Sequence, residues 1–314
     1  MIELGQDSAQ QAAHAALLYA SSDEFVTEAL GFVDDGLDRD EPVLVSAPGP
    51  EVSLLQARMN GRSHQVRWTD ITEAGANPGR IIPLMHAFAS GHAGRPVRCL
   101  QGLVWSTRTV AEQTEAIRHE ALLNLAFAAA PVRILCTYDS ARLDPSIIRS
   151  ATITHPMLRR AGRAGSSAAY DARTIFPDEW NRPLPASPER AATLAYRADL
   201  SAPRAYAARR ASQLGLSPDR VIDLVLAVGE LTANTFRHTG AGGVLSIWVA
   251  GGNELVCQVQ DTGHITDPLA GRRRPAPDED SGHGLWTVHQ LCDLVEVRSD
   301  ASGTVTRLHM RLDR

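Results

Sequence analysis

Between His14 and Pro156 the sequence alternates short, uninterrupted apolar runs with longer amphipathic ones. The apolar runs include PVLVSAP, PVRCLQGLVW and VRILCTYD, and the amphipathic runs include DEFVTEALGFVDDGL and AEQTEAIRHEALLNLAFA. A strand that is apolar on both faces must be covered on both, and helices between such strands do this in a parallel sheet. We therefore predict an N-terminal α/β domain with a parallel sheet.

The pattern changes twice further along the chain. Residues 157–188 are rich in Pro, Gly, Ser and Arg, which is typical of a connector. After Glu189 we expect a strand, two helices, the two strands GVLSIWVA and ELVCQVQD, a further helix and two more strands. This order predicts an α+β domain with helices on one face of a mixed sheet. The predicted boundaries are 10–156, 157–188 and 189–314.

The composition excludes several classes of function. The chain contains no lysine, so all 31 of its Lys or Arg residues are Arg. A Walker-A phosphate loop and Schiff-base chemistry both need a lysine, so neither is available. The net charge of −5 and the isoelectric point near 6.1 do not predict direct binding to nucleic acid.

The N-terminus lacks the basic and apolar regions of a signal peptide, and no run of about 18 uncharged apolar residues follows it. We therefore expect a cytoplasmic protein that does not enter a membrane. The four cysteines are far apart and lie within apolar runs, which favours buried free thiols over a disulfide or a zinc site. They are Cys99, Cys136, Cys257 and Cys292.

The segment PDRVIDLVLAVGELTANTFRH has an apolar stripe at helical spacing, and Ser217 before Pro218 has the form of a helix start. Glu230 and Asn234 lie off this stripe. Because they are four residues apart, they project from the same side of the helix, one turn from each other. Taken alone, this arrangement is also typical of a solvated polar face.

Two later motifs make a binding site the better interpretation. Asp261-Thr262-Gly263 ends a strand, so a carboxylate stands at the strand end before a flexible turn. Gly282-His283-Gly284-Leu285 opens a helix, where backbone N–H groups can approach an anion. Each motif is common by itself, but their order and spacing together are specific.

Taken in sequence, ELTAN, DTG, GHGLW and GTVTRLHM resemble the motifs of the GHKL (histidine kinase-like) ATPase superfamily, whose domain is an α+β sandwich with a Bergerat ATP site. Within it, the match is most similar to anti-sigma-factor serine kinases of the RsbW and SpoIIAB type. The resemblance implies that ATP and Mg²⁺ bind here. Asn234 would coordinate Mg²⁺, Asp261 would accept the adenine amine, and Gly263 would leave room for the ring. The implied cofactor-binding set is Asn234, Asp261, Gly263, Gly282, His283, Gly284, Leu285 and Thr304.

The resemblance also implies that Glu230 is the catalytic base of a kinase, although the same residue could hold a water bound to Mg²⁺ in a module without turnover. One position departs from the family pattern, because Ile265 stands where a second glycine is usual. The expected lid spans residues 266–281 and contains three consecutive arginines, Arg272 to Arg274, followed by Asp278, Glu279 and Asp280. One of these arginines could reach the terminal phosphate, but a solvated loop is also consistent with this sequence.

Residues 14–156 resemble the MEDS sensory domain through HAALLYASSDEFV, NPGRIIP and RHEALLNLAFA. Such domains are thought to sense small molecules, and the carboxyl ends of parallel strands suggest a pocket rim. The residues expected there are Tyr19, Ser46, Trp105, Tyr138 and Asp139. His119 and Glu120 superficially resemble the phosphoacceptor box of sensor histidine kinases, but the proline that follows in that box is missing. His119 is therefore expected on a helix surface or in a pocket, and structural roles are expected for His14 and His155.

The pairing of these two domains is similar to RsbA-like regulators. It implies a regulator that works by partner switching, either by phosphorylating Ser or Thr of a STAS anti-anti-sigma protein or by sequestering a sigma factor. An ATP-binding module without kinase activity is the first alternative, and a sensor histidine kinase is the second. Modules of this kind often form homodimers, but no stripe in the sequence requires one.

Overall fold

The computed structural model describes residues 14–92, 94–171, 182–197, 199–275 and 282–312, and its contacts divide the chain into two units, Met1–Trp180 and Asn181–Arg314. Each unit has its own sheet. No helix within the described ranges is long and apolar enough to cross a membrane.

The N-terminal unit alternates strands and helices along the chain, as its apolar pattern predicts. Its strands are β1 (His14–Tyr19), β2 (Val43–Ala47), β3 (Val66–Asp70), β4 (Val97–Gln101), β5 (Val132–Asp139), β6 (Met157–Arg160) and β7 (Arg163–Ser166). Its helices are α1 (Ser22–Asp38), α2 (Gly49–Arg58), α3 (Ile71–Ala74), α4 (Ile81–Ser90), α5 (Val110–Ala126) and α6 (Pro145–Thr154). Two 3-10 turns cover Arg62–Gln65 and Pro78–Arg80.

These strands form one seven-stranded sheet in the order β3-β2-β4-β5-β1-β6-β7. Every neighbouring pair is parallel except β6 and β7. The predicted α/β fold with a parallel sheet is confirmed. β1 lies between β5 and β6, so residues near the two ends of the unit meet in the middle of the sheet.

Strands β6 and β7 lie in the segment 157–188, which the sequence analysis described as a connector. They form an antiparallel hairpin that continues the sheet beyond β1. Short strands rich in Arg, Gly and Ala carry little apolar signal, and Ala161 and Gly162 both adopt positive φ in the turn between them. The hairpin is therefore stabilised by pairing with β1 rather than by an apolar pattern of its own.

The C-terminal unit follows the predicted order of elements. Its strands are β8 (Ala192–Tyr196), β9 (Gly243–Ala250), β10 (Glu254–Asp261), β11 (Leu294–Asp300) and β12 (Gly303–Arg311). Its helices are α7 (Ser201–Gln213), α8 (Pro218–Thr239) and α9 (His283–Leu291).

The sheet order is β11-β12-β10-β9-β8, and every neighbouring pair is antiparallel. The predicted α+β sandwich is confirmed, but the expectation of a mixed sheet is wrong. β10 and β11 do run in the same direction, because both are antiparallel to β12, which lies between them. Hairpins join β9 to β10 and β11 to β12, so the parallel strands are never neighbours.

Helix α8 supplies the apolar layer that covers this sheet. Its buried residues Leu224, Val228 and Leu231 recur at helical spacing and belong to one core cluster with the strands. The helix ends at Thr239, and the next residue, Gly240, has a φ of 63°, in the left-handed region that favours glycine. The core cluster from the strands comprises Tyr196, Leu245, Ile247, Leu255, Cys257, Val259, Val295, Leu308 and Met310.

A buried ion pair lies at one edge of the N-terminal core. Arg98 of β4 is only 4% exposed and donates to the carboxylates of Glu41 and Asp35 and to the carbonyl of Phe32. Glu41 is itself buried, and it also accepts from Arg133 at 2.9 Å. A buried carboxylate that loses its partner retains the cost of desolvation.

We predict that Arg98→Ala lowers the free energy of unfolding of the N-terminal unit by about 3–5 kcal/mol, because it leaves the buried charge of Glu41 short of a partner. The matched control is Arg39→Ala, which removes an exposed arginine from the same Asp35 and should cost less than about 1 kcal/mol. Scanning calorimetry of both variants measures the difference. Equal losses for the two variants would contradict the assignment.

Candidate functional site

Helix α8 carries two of the predicted site residues on one side. Glu230 and Asn234 are half-buried, and they stand one turn apart beside the buried stripe of the helix. In this structure the Nη1 atom of Arg237 donates to the Asn234 amide oxygen at 3.2 Å. The polar edge of the helix therefore offers a carboxylate and an amide oxygen at neighbouring positions.

The start of helix α9 lies against this edge. A Cβ atom placed on Gly284 would come within 2.8 Å of Oε2 of Glu230 and 3.0 Å of Nδ2 of Asn234. Any side chain at position 284 would have to push these two groups away, so glycine is what allows the close approach. Gly282, just before the helix, has a φ of 91°, which also favours glycine.

The first turn of α9 points its backbone N–H groups out of the start of the helix. They belong to His283, Gly284 and Leu285, and they lie at the positive end of the helix dipole. Leu285 packs against the core and against Gly271, where a Cβ atom would lie 2.6 Å from Cγ of Leu285. This turn can bind an anion such as a phosphate group next to Glu230 and Asn234.

Asp261 at the end of β10 is held by two hydrogen bonds. Thr235 of α8 donates its hydroxyl to Oδ2 at 2.6 Å, and the backbone N–H of Gly263 donates to Oδ1 at 2.7 Å. Tyr196 of β8 donates in turn to Thr235 at 3.0 Å. Burial raises the pKa of Tyr196, which keeps this phenol protonated as a donor. Each carboxylate oxygen of Asp261 retains a lone pair for a further donor.

Thr304 of β12 fixes the turn that follows Asp261. Its hydroxyl donates to the carbonyl of Gly263 at 2.8 Å and also contacts the hydroxyl of Ser299 at 2.8 Å. Thr304 pairs directly with Asp261 across the two strands. The side chain therefore holds the backbone of the Gly263 turn, and a direct contact with a ligand stays a prediction.

The structure thus places the predicted residues in two groups joined by helix α8. One group is Glu230 and Asn234 with Gly284, and the other is Asp261 with Gly263 and Thr304. Thr235, the residue that holds Asp261, directly follows Asn234 in the helix. Three further residues of the site, Thr235, Tyr196 and Ser299, were not predicted from the sequence. The sequence could have indicated Thr235, because it continues the apolar stripe of α8 at helical spacing. In the structure its side chain is 2% exposed.

The segment expected to be a lid is described only as far as residue 275. Ile265, the departure from the family pattern, is anchored through its backbone N–H to the hydroxyl of Ser299 at 2.9 Å. Leu269 and Arg272 are both buried, so this part is packed rather than solvated. Arg273 and Arg274 are exposed. The acidic residues Asp278, Glu279 and Asp280 lie outside the described residues.

The residues of this site fit a hard cation with phosphate groups. The carboxylate of Glu230 and the amide oxygen of Asn234 are the kind of oxygen ligand that Mg²⁺ prefers, and they stand beside a helix start that favours anions. Gly284 allows the helix start to come this close to Glu230 and Asn234, since a Cβ there would collide with both.

The N-terminal unit has a cleft at the carboxyl ends of its strands. Three of the five predicted rim residues, Tyr19, Trp105 and Asp139, line this cleft of about 50 Å³. Ser46 and Tyr138 are instead buried in the sheet, and Tyr138 packs its ring edge against His155. Because successive residues of a strand point to opposite faces, Tyr138 faces away from its neighbour Asp139.

Glu51, which was not predicted from the sequence, also lines the cleft and accepts a hydrogen bond from the hydroxyl of Tyr19 at 3.3 Å. Burial raises the pKa of Glu51 to about 7. The hydrogen bond from Tyr19 lowers this pKa, whereas the nearby charge of Asp139 raises it. Gly102 leaves room for this carboxylate, since a Cβ there would lie 3.1 Å from Oε2.

His119 lies on helix α5 and is fully buried. The expectation of a helix-surface position is therefore wrong, because α5 is covered along most of its length, with nine consecutive residues from Glu115 to Leu123 buried. All four cysteines are buried, as predicted, and none of them is in a disulfide.

Comparison with known proteins agrees with these two architectures. Residues 13–156 match the family model described as MEDS, the methanogen/methylotroph DcmR sensory domain. Residues 193–310 match the model of the histidine kinase-like ATPase domain. None of the curated proteins matches the chain.

Among solved structures, the RsbU and RsbW domains of Rv1364c from Mycobacterium tuberculosis match with 21% identity and a TM-score of 0.32. The match covers 41% of this chain and 34% of that chain, so this protein spans about a third of the length of that relative. The two family models, together with the two sheets described above, identify the parts of the chain: residues 13–156 form a MEDS sensory domain, and residues 193–310 form a histidine kinase-like ATPase domain.

Proposed function

We propose that the C-terminal domain, residues 189–314, binds Mg-ATP between helix α8, the end of β10 and the start of α9. One observation carries the proposal: Glu230 and Asn234 lie against Gly284 at a helix start, while Thr235 on the same helix holds Asp261. A single helix therefore carries both the oxygen ligands for a cation and the hydroxyl that positions a carboxylate. The match to the histidine kinase-like ATPase family supports the same reading.

Asp261 recognises the adenine ring in this proposal. Its oxygens accept from Thr235 and Gly263, so the carboxylate is held in place before a ligand arrives. A remaining lone pair accepts the exocyclic amine of adenine. Guanine has a carbonyl oxygen at that position, which would face the carboxylate with no hydrogen between them, so ATP is selected over GTP.

We predict that Asp261→Asn weakens ATP binding by about 10- to 150-fold, because it removes a hydrogen bond to a charged acceptor worth about 1.5–3 kcal/mol. Isothermal titration calorimetry with Mg-ATP and Mg-GTP measures the loss of affinity and of selectivity. The matched control is Asp219→Asn, an exposed carboxylate at the other end of α8, which should bind ATP like the original chain. Unchanged affinity in Asp261→Asn would show that the carboxylate does not contact adenine.

Glu230 and Asn234 serve the phosphate end of the nucleotide. Mg²⁺, when bound, neutralises phosphate charge, and the Asn234 amide oxygen is its proposed ligand. Arg237 now donates to that oxygen, so this guanidinium must turn away when the cation is held. The N–H groups of His283, Gly284 and Leu285 bind the phosphate oxygens, with Gly282 allowing the turn that aims them.

We further propose that the protein is a regulator that acts by partner switching. In this proposal the ATPase domain phosphorylates a Ser or Thr of a STAS anti-anti-sigma protein, sequesters a sigma factor, or does both, under control of the MEDS domain. Glu230 accepts the proton of the attacking Ser or Thr hydroxyl. The oxygen of that hydroxyl forms a bond to the terminal phosphorus of ATP, and ADP leaves. The position of Glu230 beside the phosphate-binding helix start supports this role.

We predict that Glu230→Gln lowers the rate of phosphate transfer from γ-labelled ATP to a STAS partner by at least about 100-fold, because an amide cannot accept the proton. The affinity for Mg-ATP should change by less than about threefold, since the shape of the side chain is kept. The exposed Glu189→Gln is the control and should retain full transfer.

The same assay separates the alternatives. If the original chain binds ATP but labels no partner, the domain is an ATP-binding module without kinase activity. Acid-labile phosphate on His119 would instead indicate a histidine kinase, although the buried position of His119 argues against this. A large loss of ATP affinity in Glu230→Gln would mean that Glu230 holds the cation rather than the proton.

We propose that the cleft of the MEDS domain binds the small molecule that controls the protein. The rim combines the aromatic ring of Trp105 with the polar groups of Tyr19, Glu51 and Asp139, which suits a small ligand with a hydrogen-bond donor. Because the pKa of Glu51 is raised to about 7, the charge of this cleft changes near neutral pH.

We predict that Glu51→Gln changes how the stability of the MEDS domain depends on pH. A carboxyl whose pKa is higher in the folded state favours folding while protonated, and this advantage is lost as pH rises through about 7. Relative to the original chain, Glu51→Gln should therefore gain stability between pH 5 and pH 8, by up to about 3 kcal/mol. Urea unfolding at the two pH values measures this. A difference that does not vary with pH would contradict the raised pKa.

A further inference from the structure

Four side chains with metal-binding atoms converge inside the N-terminal domain, away from the cleft. They are His14 at the start of β1, Glu120 in α5, Cys136 in β5 and His155 just after α6. All four are buried, with no more than 4% of any of them exposed. Their nearest ligand atoms all lie within 4.8 Å of one another.

The separations suit a tetrahedral metal ion. Nε2 of His14 lies 3.4 Å from Sγ of Cys136 and 3.6 Å from Oε2 of Glu120, and Nε2 of His155 lies 3.5 Å from the same oxygen. Ligands about 2.0–2.3 Å from a tetrahedral zinc ion are separated from each other by about 3.3–3.7 Å. The shortest distance is 2.9 Å, between Sγ of Cys136 and Oε2 of Glu120, so these two atoms would have to move slightly apart to bind the ion.

The hydrogen bonds around the two histidines direct a lone pair of each ring towards the centre of the cluster. Nδ1 of His155 donates to the carbonyl of Ala151 at 2.9 Å, and a carbonyl can only accept. Nδ1 of His14 donates to Oδ1 of Asn124 at 2.9 Å, while the amide nitrogen of Asn124 donates to the carbonyl of Thr154. With Nδ1 as the donor, Nε2 is the ring nitrogen that can offer its lone pair to a metal ion. Metal-binding histidines are usually held by such a second hydrogen bond.

The side-chain atoms that face the centre of the cluster include more hydrogen-bond acceptors than donors. Nε2 of His155 and Oε1 of Glu120 are buried and meet no partner at full hydrogen-bond geometry among the described residues, although the hydroxyl of Tyr138 also lies near the Glu120 carboxylate. The one thiol proton of Cys136 cannot serve His14 and Glu120 together. A buried carboxylate without sufficient donors is costly, and a cation at the centre would satisfy it and both nitrogens at once.

We propose that His14, Glu120, Cys136 and His155 bind a divalent transition-metal ion, best matched by Zn²⁺, in a closed four-ligand site. Two nitrogens, one sulfur and one oxygen form a mixed set that suits zinc, and four protein ligands leave no open position for chemistry. Binding releases the thiol proton to solvent as the thiolate bonds to the metal. The ion joins strands β1 and β5 to helices α5 and α6, so its role is to stabilise the sensory domain.

The test uses the full chain, stripped with a chelator and titrated with Co²⁺ as a spectroscopic substitute for Zn²⁺. We expect one equivalent to bind, with a thiolate-to-cobalt charge-transfer band in the near ultraviolet and the intense visible bands of a tetrahedral site. Zn²⁺ should displace the Co²⁺ and raise the melting temperature of the N-terminal domain. Mg²⁺ at the ATPase domain produces neither band, so the outcome does not depend on the proposed ATP site.

Cys136→Ser should abolish the charge-transfer band, whereas the matched control Cys257→Ser, a fully buried cysteine on a strand of the other domain, should retain it. If Cys136→Ser fails to fold, Asn124→Ala provides a second test. That variant keeps all four ligands but loses the hydrogen bond that orients His14, so the band should remain while affinity falls by about 10- to 100-fold. Absence of stoichiometric metal binding by the original chain, or a band that persists in Cys136→Ser, would overturn the proposal.

Discussion

The hydrogen bond from Thr235 to Asp261 connects the two halves of the candidate nucleotide site. Helix α8 is fixed on the sheet by its buried stripe, and Thr235 continues that stripe into the last turns of the helix. The hydroxyl therefore projects from a rigid surface to the end of β10, where it meets the carboxylate at 2.6 Å. Since Asn234 and Glu230 lie on the adjacent edge of the same helix, their distance from Asp261 is set by helical geometry.

Because the chain has no lysine, backbone N–H groups have to provide more of the contacts to the phosphates of a bound nucleotide. The site instead offers the N–H groups at the start of α9, and these are useful only if the helix can approach α8 closely. Gly284 meets that requirement, because a Cβ atom would collide with Glu230 and Asn234. The glycines of the GHGLW motif are thus explained by close packing and by the left-handed turn at Gly282 rather than by flexibility alone.

The sheet of the MEDS domain separates two chemical environments. The cleft at the carboxyl ends of the strands contains Tyr19, Glu51 and Asp139, whereas the opposite face of β5 presents Cys136 and Tyr138 to α5 and His155. Tyr138 and Asp139 are adjacent in sequence and belong to different environments because side chains alternate along a strand. A carboxyl whose pKa is raised to about 7 therefore lies on one side of the sheet, and four buried side chains with metal-binding atoms lie on the other.

Local patterns in the sequence determined the elements and part of the site. The alternation of apolar runs predicted the parallel sheet, and the spacing of four between Glu230 and Asn234 predicted their common side, because both depend only on the geometry of one strand or one helix. The mixed C-terminal sheet was predicted wrongly, since which strands become neighbours depends on hairpins and packing across the whole domain. Only the tertiary structure decided that Thr235 contacts Asp261 and that His119 is buried. It also decided that His14, Glu120, Cys136 and His155 lie together. Residues as far apart as 14 and 155 meet because β1 lies between β5 and β6, and no pattern within a single element specifies that order.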